Sequence, residues 1–199
     1  MRTLDPVKHE EKRQELLRAA MRCFARDGFQ GASISDICKE AVIGRGHLYH
    51  YFESKEEMVA AITGAGLARA AESFDRMLDS VDTVETLAAE IAALKTKQEG
   101  QTSLFILNML VEAARNPVIA KITRDLSRQL RSSFAVFLRK GQTLGQIDST
   151  LDADHTAGLL MCIIDGTKAW EIRDPKISSA DSAALLKTLI IRLLTPIAE

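Results

Sequence analysis

The sequence predicts an all-α protein, a small three-helix N-terminal head followed by a larger helical body. Three observations predict it. Apolar residues recur at i, i+3, i+4 and i+7 from end to end, and no stretch sustains the period-two alternation of a half-buried strand. Only four of the 199 residues are proline, which suits a mostly helical chain. A hydrophobic fraction of 46% supplies enough apolar surface for a core.

The first helix spans about Glu10 to Arg26, buries Leu17, Met21 and Phe24, and stops at Gly28, a residue suited to a helix C-terminus. The second repeats Ile34, Ile37, Cys38 and Ala41 on one face, with the hydroxyls of Ser33 and Ser35 at its start to accept from free backbone N–H groups. A turn through Val42, Ile43 and Gly44 follows. The third helix, about Arg45 to Phe52, can bury Leu48 and Phe52 at i, i+4 and leaves Arg45, His47, Tyr49 and His50 pointing elsewhere. Two short helices joined by a tight turn, the second rich in hydrogen-bonding side chains, form the pattern of a helix-turn-helix DNA reader, here over residues 33–52.

Ser54 with Glu57 reads as a capping box that opens a helix running to about Leu78. Two more begin near Asp82 and near Gln101, the latter ending at Asn116 before Pro117. From Pro117 a long helix aligns Ile119, Ile122, Leu126, Leu130, Phe134 and Phe137 in one stripe and ends around Gly141 to Gly145. The last two span roughly Asp152 to Arg173 and Ala180 to Pro196, for about nine helices in all. The sequence therefore divides into a helix-turn-helix DNA-binding domain, 1–54, and a helical domain, 55–199.

The run Ala41 to Phe52 resembles the A-G-V-S-x-G-T-L-Y-H-Y-F pattern of the tetracycline-repressor (TetR) family of transcriptional regulators, with Leu48, Tyr49, His50, Tyr51, Phe52, Ser54, Lys55 and Glu56 matching residue by residue. The upstream stretch LLRAAMRCFARDGFQGASISDI, including Gly28 and Phe29, is similar to that family's first helix and turn. Three positions depart: Val42 where Gly is frequent, Gly44 where Ser is frequent and His47 where Thr is frequent. The resemblance implies a homodimeric regulator, a repressor in the first instance, released from a palindromic operator by a small molecule. The helix from Lys55 to about Leu78 would carry the signal.

On this reading the DNA-contacting residues are Ser33, Ser35, Arg45, Gly46, His47, Tyr49, His50 and Lys55. Arg45 and His47 are assigned to base edges, while Tyr49, His50 and Lys55 hold phosphates and set the register. Residues 1–52 carry a net charge of +2 and residues 53–199 a net charge of −3, a weak asymmetry of the right sign. Binding then depends on placed contacts and on dimerisation more than on bulk field.

In the apolar segment Leu104 to Ala114, the polar exceptions Asn108 and Glu112 lie on one face at i, i+4, and a buried carboxylate needs compensation. Two sources are open: an internal partner such as Arg115 or an arginine of the next helix, or a ligand group. Phe105, Asn108, Met109, Glu112, Phe134, Phe137, Met161, Asp165 and Trp170 are the candidate effector-pocket residues, with core packing the alternative for each apolar one. In the last helix Leu185, Leu186, Leu189, Ile190, Leu193, Leu194 and Ile197 cover too wide an arc for one face. Gly158, Cys162 and Gly166 recur every fourth residue in the helix before it. A two-fold four-helix dimer seam built from 152–173 and 180–196 explains both, and a fully internal helix pair is the alternative.

No apolar run approaches a membrane span and the amino terminus lacks the hydrophobic core of a signal peptide, so a cytoplasmic protein is expected. Cys23, Cys38 and Cys162 are expected as buried reduced thiols. No cofactor and no metal are expected. His47 and His50, at i, i+3, raise a metal-dependent enzyme as a rival, but the sequence arranges no third ligand with them. No phosphate-binding glycine loop or nucleophile–base pair appears. An all-helical small-molecule-binding module without DNA binding is the other alternative.

Overall fold

The computed structural model describes residues 5–97, 100–174, 176 and 178–196, so Ile197 of the predicted last helix lies outside the described residues. The described residues contain no strand. The helices are α1 (Pro6–Gly31), α2 (Ile34–Glu40), α3 (Arg45–Tyr49), α4 (Lys55–Leu78), α5 (Thr83–Lys97), α6 (Gly100–Ala113), α7 (Pro117–Thr143), α8 (Ala153–Lys168), α9 (Trp170–Arg173) and α10 (Ser179–Leu194). The single turn α9 follows α8 after Ala169, so the predicted helix from Asp152 to Arg173 is one long segment with a break near its end.

Local chemistry sets the ends. Asp5 caps α1 by accepting from the Val7 N–H at 3.1 Å, with Pro6 at the first helical position, where its missing N–H costs nothing. The helical path breaks at Gly28, which stands at φ 70°, ψ 174°. Asp152 caps α8 by accepting from His155 N–H, and Ser178 caps α10 by accepting from Asp181 N–H.

The chain forms two compact units, and they do not follow chain order. One comprises residues 1–65 and 100–124, the other 66–99 and 125–199. The first packs α6 against α1. Its core joins Leu16, Phe24, Phe29, Ile37, Leu48, Phe52 and Met58 to Phe105, Met109 and Ile119. The predicted division at residue 54 leaves out Met58 as well as those last three. The second unit packs α10 against α5 and α8 around Leu87, Phe134, Phe137, Leu138, Leu160, Leu186, Ile190 and Leu194. In α10 the wide apolar arc splits in two: Leu186, Ile190 and Leu194 are buried, while Leu185 and Leu189 are exposed.

Candidate DNA-reading head and effector cavity

The reading head starts from a complete capping box. The Ser33 hydroxyl accepts from Asp36 N–H at 3.2 Å, and the Asp36 carboxylate accepts from Ser33 N–H at 3.2 Å. The Ser33 bonds hold the Asp36 carboxyl below the usual carboxylate range. At the other end of α2, Val42 N–H donates to the Lys39 carbonyl at 3.2 Å and Ile43 N–H to the Cys38 carbonyl at 3.0 Å. This nested pair is a Schellman turn, whose pivot residue is left-handed and usually glycine. Here the pivot is Val42, at φ 53° and 88% exposed. Gly44 then caps α3 without a side-chain bond, as the departure from Ser predicts.

α3 is anchored from below and open above. Leu48 is 0% and Phe52 1% exposed, whereas Arg45, Gly46, His47, Tyr49 and His50 are all exposed. The Arg45 guanidinium donates to the Ser35 hydroxyl at 2.6 Å, which ties the starts of α2 and α3 together. Arg22 on α1 donates to Glu40 at 2.6 Å and Arg26 lies 3.7 Å from the same carboxylate, so α2 is clamped to α1. Arg22 and Arg26 hold the Glu40 carboxyl low. Burial pushes up the Cys23 and Cys38 thiols, which keeps both protonated and unreactive.

Lys55 points inward. Its ammonium donates to the carbonyls of Phe29 at 2.6 Å and Ala32 at 3.0 Å and sits 4.5 Å from the Phe29 ring centre. It closes the end of α1 and is engaged there. Ser54 caps α4 by accepting from Glu57 N–H at 3.1 Å, while the Glu57 carboxylate accepts from Glu53 N–H at 2.6 Å.

Four of the nine candidate effector residues belong to the head's unit. Asn108 donates to the carbonyls of Phe24 at 3.0 Å and Ala25 at 3.1 Å, and Phe105 lies 6.3 Å from Phe24, ring to ring. Glu112, 5% exposed, accepts from the Gln30 amide at 2.6 Å. An internal partner is thus present, a glutamine of α1 where Arg115 or an arginine of the next helix was the internal candidate. Phe105 and Met109, 2% and 4% exposed, are core residues of the same packing.

The second unit holds a cavity of about 180 Å³ between α4, α5, α7 and α8. Phe134, Met161 and Asp165 line it, as expected, and Phe74, which the sequence analysis does not single out, stacks on Phe134 at 5.0 Å with the rings 17° apart. Phe137 backs that pair at 5.4 Å from Phe74 without lining the cavity. Lys168 also lines it, ion-paired to Asp165. The i, i+3 spacing of those two charges was the available signal. Trp170 is 37% exposed and does not line the cavity. Cys162 is exposed on α8, unlike its two buried counterparts, so the expectation of a buried thiol fails there: among the described residues that side of the helix is not covered.

A helix-turn-helix head with an open polar face, joined to a helical body that encloses a cavity, defines a one-component transcriptional regulator. Sequence comparison agrees. Residues 16–62 match the family described as "Bacterial regulatory proteins, tetR family", and residues 82–195 match "BetI-type transcriptional repressor, C-terminal". The chain belongs to the TetR family and is a ligand-responsive DNA-binding regulator of the repressor type. It is 29% identical over 183 residues to the HTH-type transcriptional regulator UidR of Escherichia coli (strain K12), covering 92% of this chain and 93% of that one. It is 28% identical over 170 residues to the nicotine-responsive transcriptional repressor HdnoR of Paenarthrobacter nicotinovorans, covering 83% and 86%. Among solved structures, Salmonella enterica GusR superposes with a TM-score of 0.78 at 27% identity, covering 98% and 99%. Among the described residues no helix is long and apolar enough to cross a membrane, and no group of three His, Cys, Asp or Glu could hold a metal ion.

Proposed function

We propose that the chain acts as a cytoplasmic, non-enzymatic homodimer that places two copies of α3 in successive major grooves of a pseudo-palindromic operator, roughly 34 Å apart. The observation that carries this is the makeup of α3: Leu48 and Phe52 are buried beneath it, and Arg45, His47, Tyr49 and His50 all face solvent. Arg45 and His47 read base edges, Tyr49 and His50 hold phosphates, and Gly46 lets the backbone approach closely. Ser35 aims Arg45, and Ser33 serves as the helix cap. Lys55 braces the head from inside and is not one of the phosphate contacts.

The effector occupies the cavity of the second unit, with Phe74, Phe134 and Met161 as its apolar walls and Asp165 and Lys168 as its polar end. Phe105, Asn108, Met109 and Glu112 serve the head's packing. α4, whose residues belong to both units, carries the response; a useful switch needs a differential affinity of about 1–3 kcal/mol between the two states. The dimer seam is formed by α8 and α10, which leave Leu159, Leu185 and Leu189 exposed at 56%, 58% and 39%.

Selection from a randomised duplex library with purified protein tests the DNA reading. A palindromic motif is expected, with Arg45→Ala relaxing specificity at defined positions. A library returned unchanged, or equal loss on specific and random DNA for Arg45→Ala, would overturn it.

A further inference from the structure

Three of the chain's four histidines meet in one place. His9, on the first turns of α1, stacks on Tyr51 with ring centres 4.6 Å apart and planes 24° apart. His47 of α3 lies 5.5 Å from the same tyrosine and 6.5 Å from His50. Tyr51 is therefore a hub that brings a residue of α1 beside the exposed face of α3. Nothing in the spacing of the sequence joins His9 to the helix-turn-helix.

Among the described residues none of these three imidazoles has a carboxylate within ion-pairing distance, whereas His155 on α8 has Asp152 at 3.3 Å. Several charged groups at the start of α1 are engaged with one another. On α1, Asp5 pairs with Lys8 at 3.8 Å, Glu10 with Arg13 at 3.6 Å and Lys12 with Glu15 at 2.7 Å, while Arg13 also lies over the Phe52 ring at 5.2 Å. Beside α3, Arg45 is held by Ser35, and Glu11 on α1, Tyr49 on α3 and Glu53 after it are further titratable groups of these elements. Carboxylates, lysines, arginines and tyrosines ordinarily titrate outside pH 6 to 8. Imidazole is the side-chain type that ordinarily changes charge in that window, and among the described residues no carboxylate is paired with these three.

We propose that His9 belongs to the DNA-binding surface and that His9 and His50, brought together through Tyr51 and His47, form a phosphate site that works in its protonated form, so that operator binding takes up protons. The proposal rests on the DNA-binding reading above. The sign follows from linkage. A phosphate beside an imidazole favours the imidazolium, so the pKa in the complex lies above that of the free protein and the complex carries more protons than its parts. Affinity therefore rises as pH falls from 8 towards 6. It levels off once the free protein is itself protonated. Each imidazole whose pKa rises by one unit on binding contributes up to about tenfold.

The test measures Kd for the selected operator by fluorescence anisotropy at pH 6.0, 7.0 and 8.0 at constant salt. Calorimetry in two buffers of different ionisation enthalpy then counts the protons taken up. Binding at pH 6.0 is expected to be at least about tenfold tighter than at pH 8.0. His9→Gln and His9→Phe, the second of which keeps a ring for the stack but no proton, should each reduce that ratio by about threefold or more. The control His155→Gln should keep the full ratio. A flat profile, or a full ratio retained by both His9 variants, would overturn the proposal and leave DNA binding intact. No binding at any pH would remove the DNA-binding reading itself.

Discussion

Val42→Gly should make this protein more stable. Val42 is the left-handed pivot of the turn between α2 and α3, at φ 53°. In that conformation the Cβ of an L-residue crowds the following carbonyl, at about 1–2 kcal/mol, and β-branching adds to the crowding. Glycine removes the clash and returns about 0.5–1 kcal/mol through the greater freedom of the unfolded chain. The side chain is 88% exposed, so its removal forfeits almost no burial. The net gain is about 1 kcal/mol, or roughly 2–4 °C in Tm for a chain of this size. Thermal melts followed by far-UV circular dichroism measure it, and amide exchange of Ile43 localises it. Val42→Ala, which keeps Cβ, should gain less than half as much. A lower Tm for Val42→Gly, or equal gains for Gly and Ala, would show that backbone crowding at this pivot is not the source.

Lys55→Met keeps the aliphatic stem and loses the two bonds to the Phe29 and Ala32 carbonyls; urea denaturation should report a loss of about 1–3 kcal/mol. The salt slope of operator binding should stay unchanged, where loss of a phosphate contact would lower it by about one. Gln30→Leu strands the buried Glu112 carboxylate and should cost about 1–3 kcal/mol, most of which the double variant with Glu112→Leu recovers. Acid should destabilise the fold through carboxyls held below their usual range, among them Glu40 by Arg22 and Asp148 by Thr150. A depressed folded-state pKa contributes stability that is present above the unfolded value near 4 and is lost as pH falls below it. Asp148→Asn should therefore flatten the low-pH limb of a stability–pH curve.

The head was legible because its signals are local. Capping hydroxyls, the i, i+4 anchors Leu48 and Phe52, and a three-residue turn all lie within 20 residues, and the capping box at Ser33 forms as its spacing requires. Gln30 meets Glu112 across 82 positions of sequence, so the partner of a buried carboxylate stayed invisible, and an arginine nearer in the chain looked the better candidate. The same holds for the cavity. Phe134 and Met161 stood out as apolar lining, but Phe74 and Lys168 become walls only when α4 and α8 are brought together. Lys55 matched its motif in identity, while its direction was set by two carbonyls at the end of α1. Cys162 shares an apolar helical pattern with Cys23 and Cys38, and pattern alone does not tell which side of a helix the rest of the chain leaves uncovered.

The grouping of residues 100–124 with the head has a consequence for how small the DNA-reading part can be made. Phe105, Met109 and Ile119 are 2%, 4% and 0% exposed within the first unit's core, and Asn108 satisfies two α1 carbonyls. Burying one such apolar side chain is worth about 1.5–3 kcal/mol, so the three together contribute about 6 kcal/mol. A whole domain is stable by only about 5–15 kcal/mol. A fragment ending at Ala65 keeps the entire helix-turn-helix yet strips Phe105 from Phe24 and Asn108 from the α1 carbonyls, and it should lose most of that margin. Far-UV circular dichroism should then show residual helix melting without a cooperative transition, and a hydrophobic dye should bind at room temperature. A fragment of residues 1–65 that melted sharply near the Tm of the full chain would mean that the three-helix head supplies its own core and that α6 adds little to it.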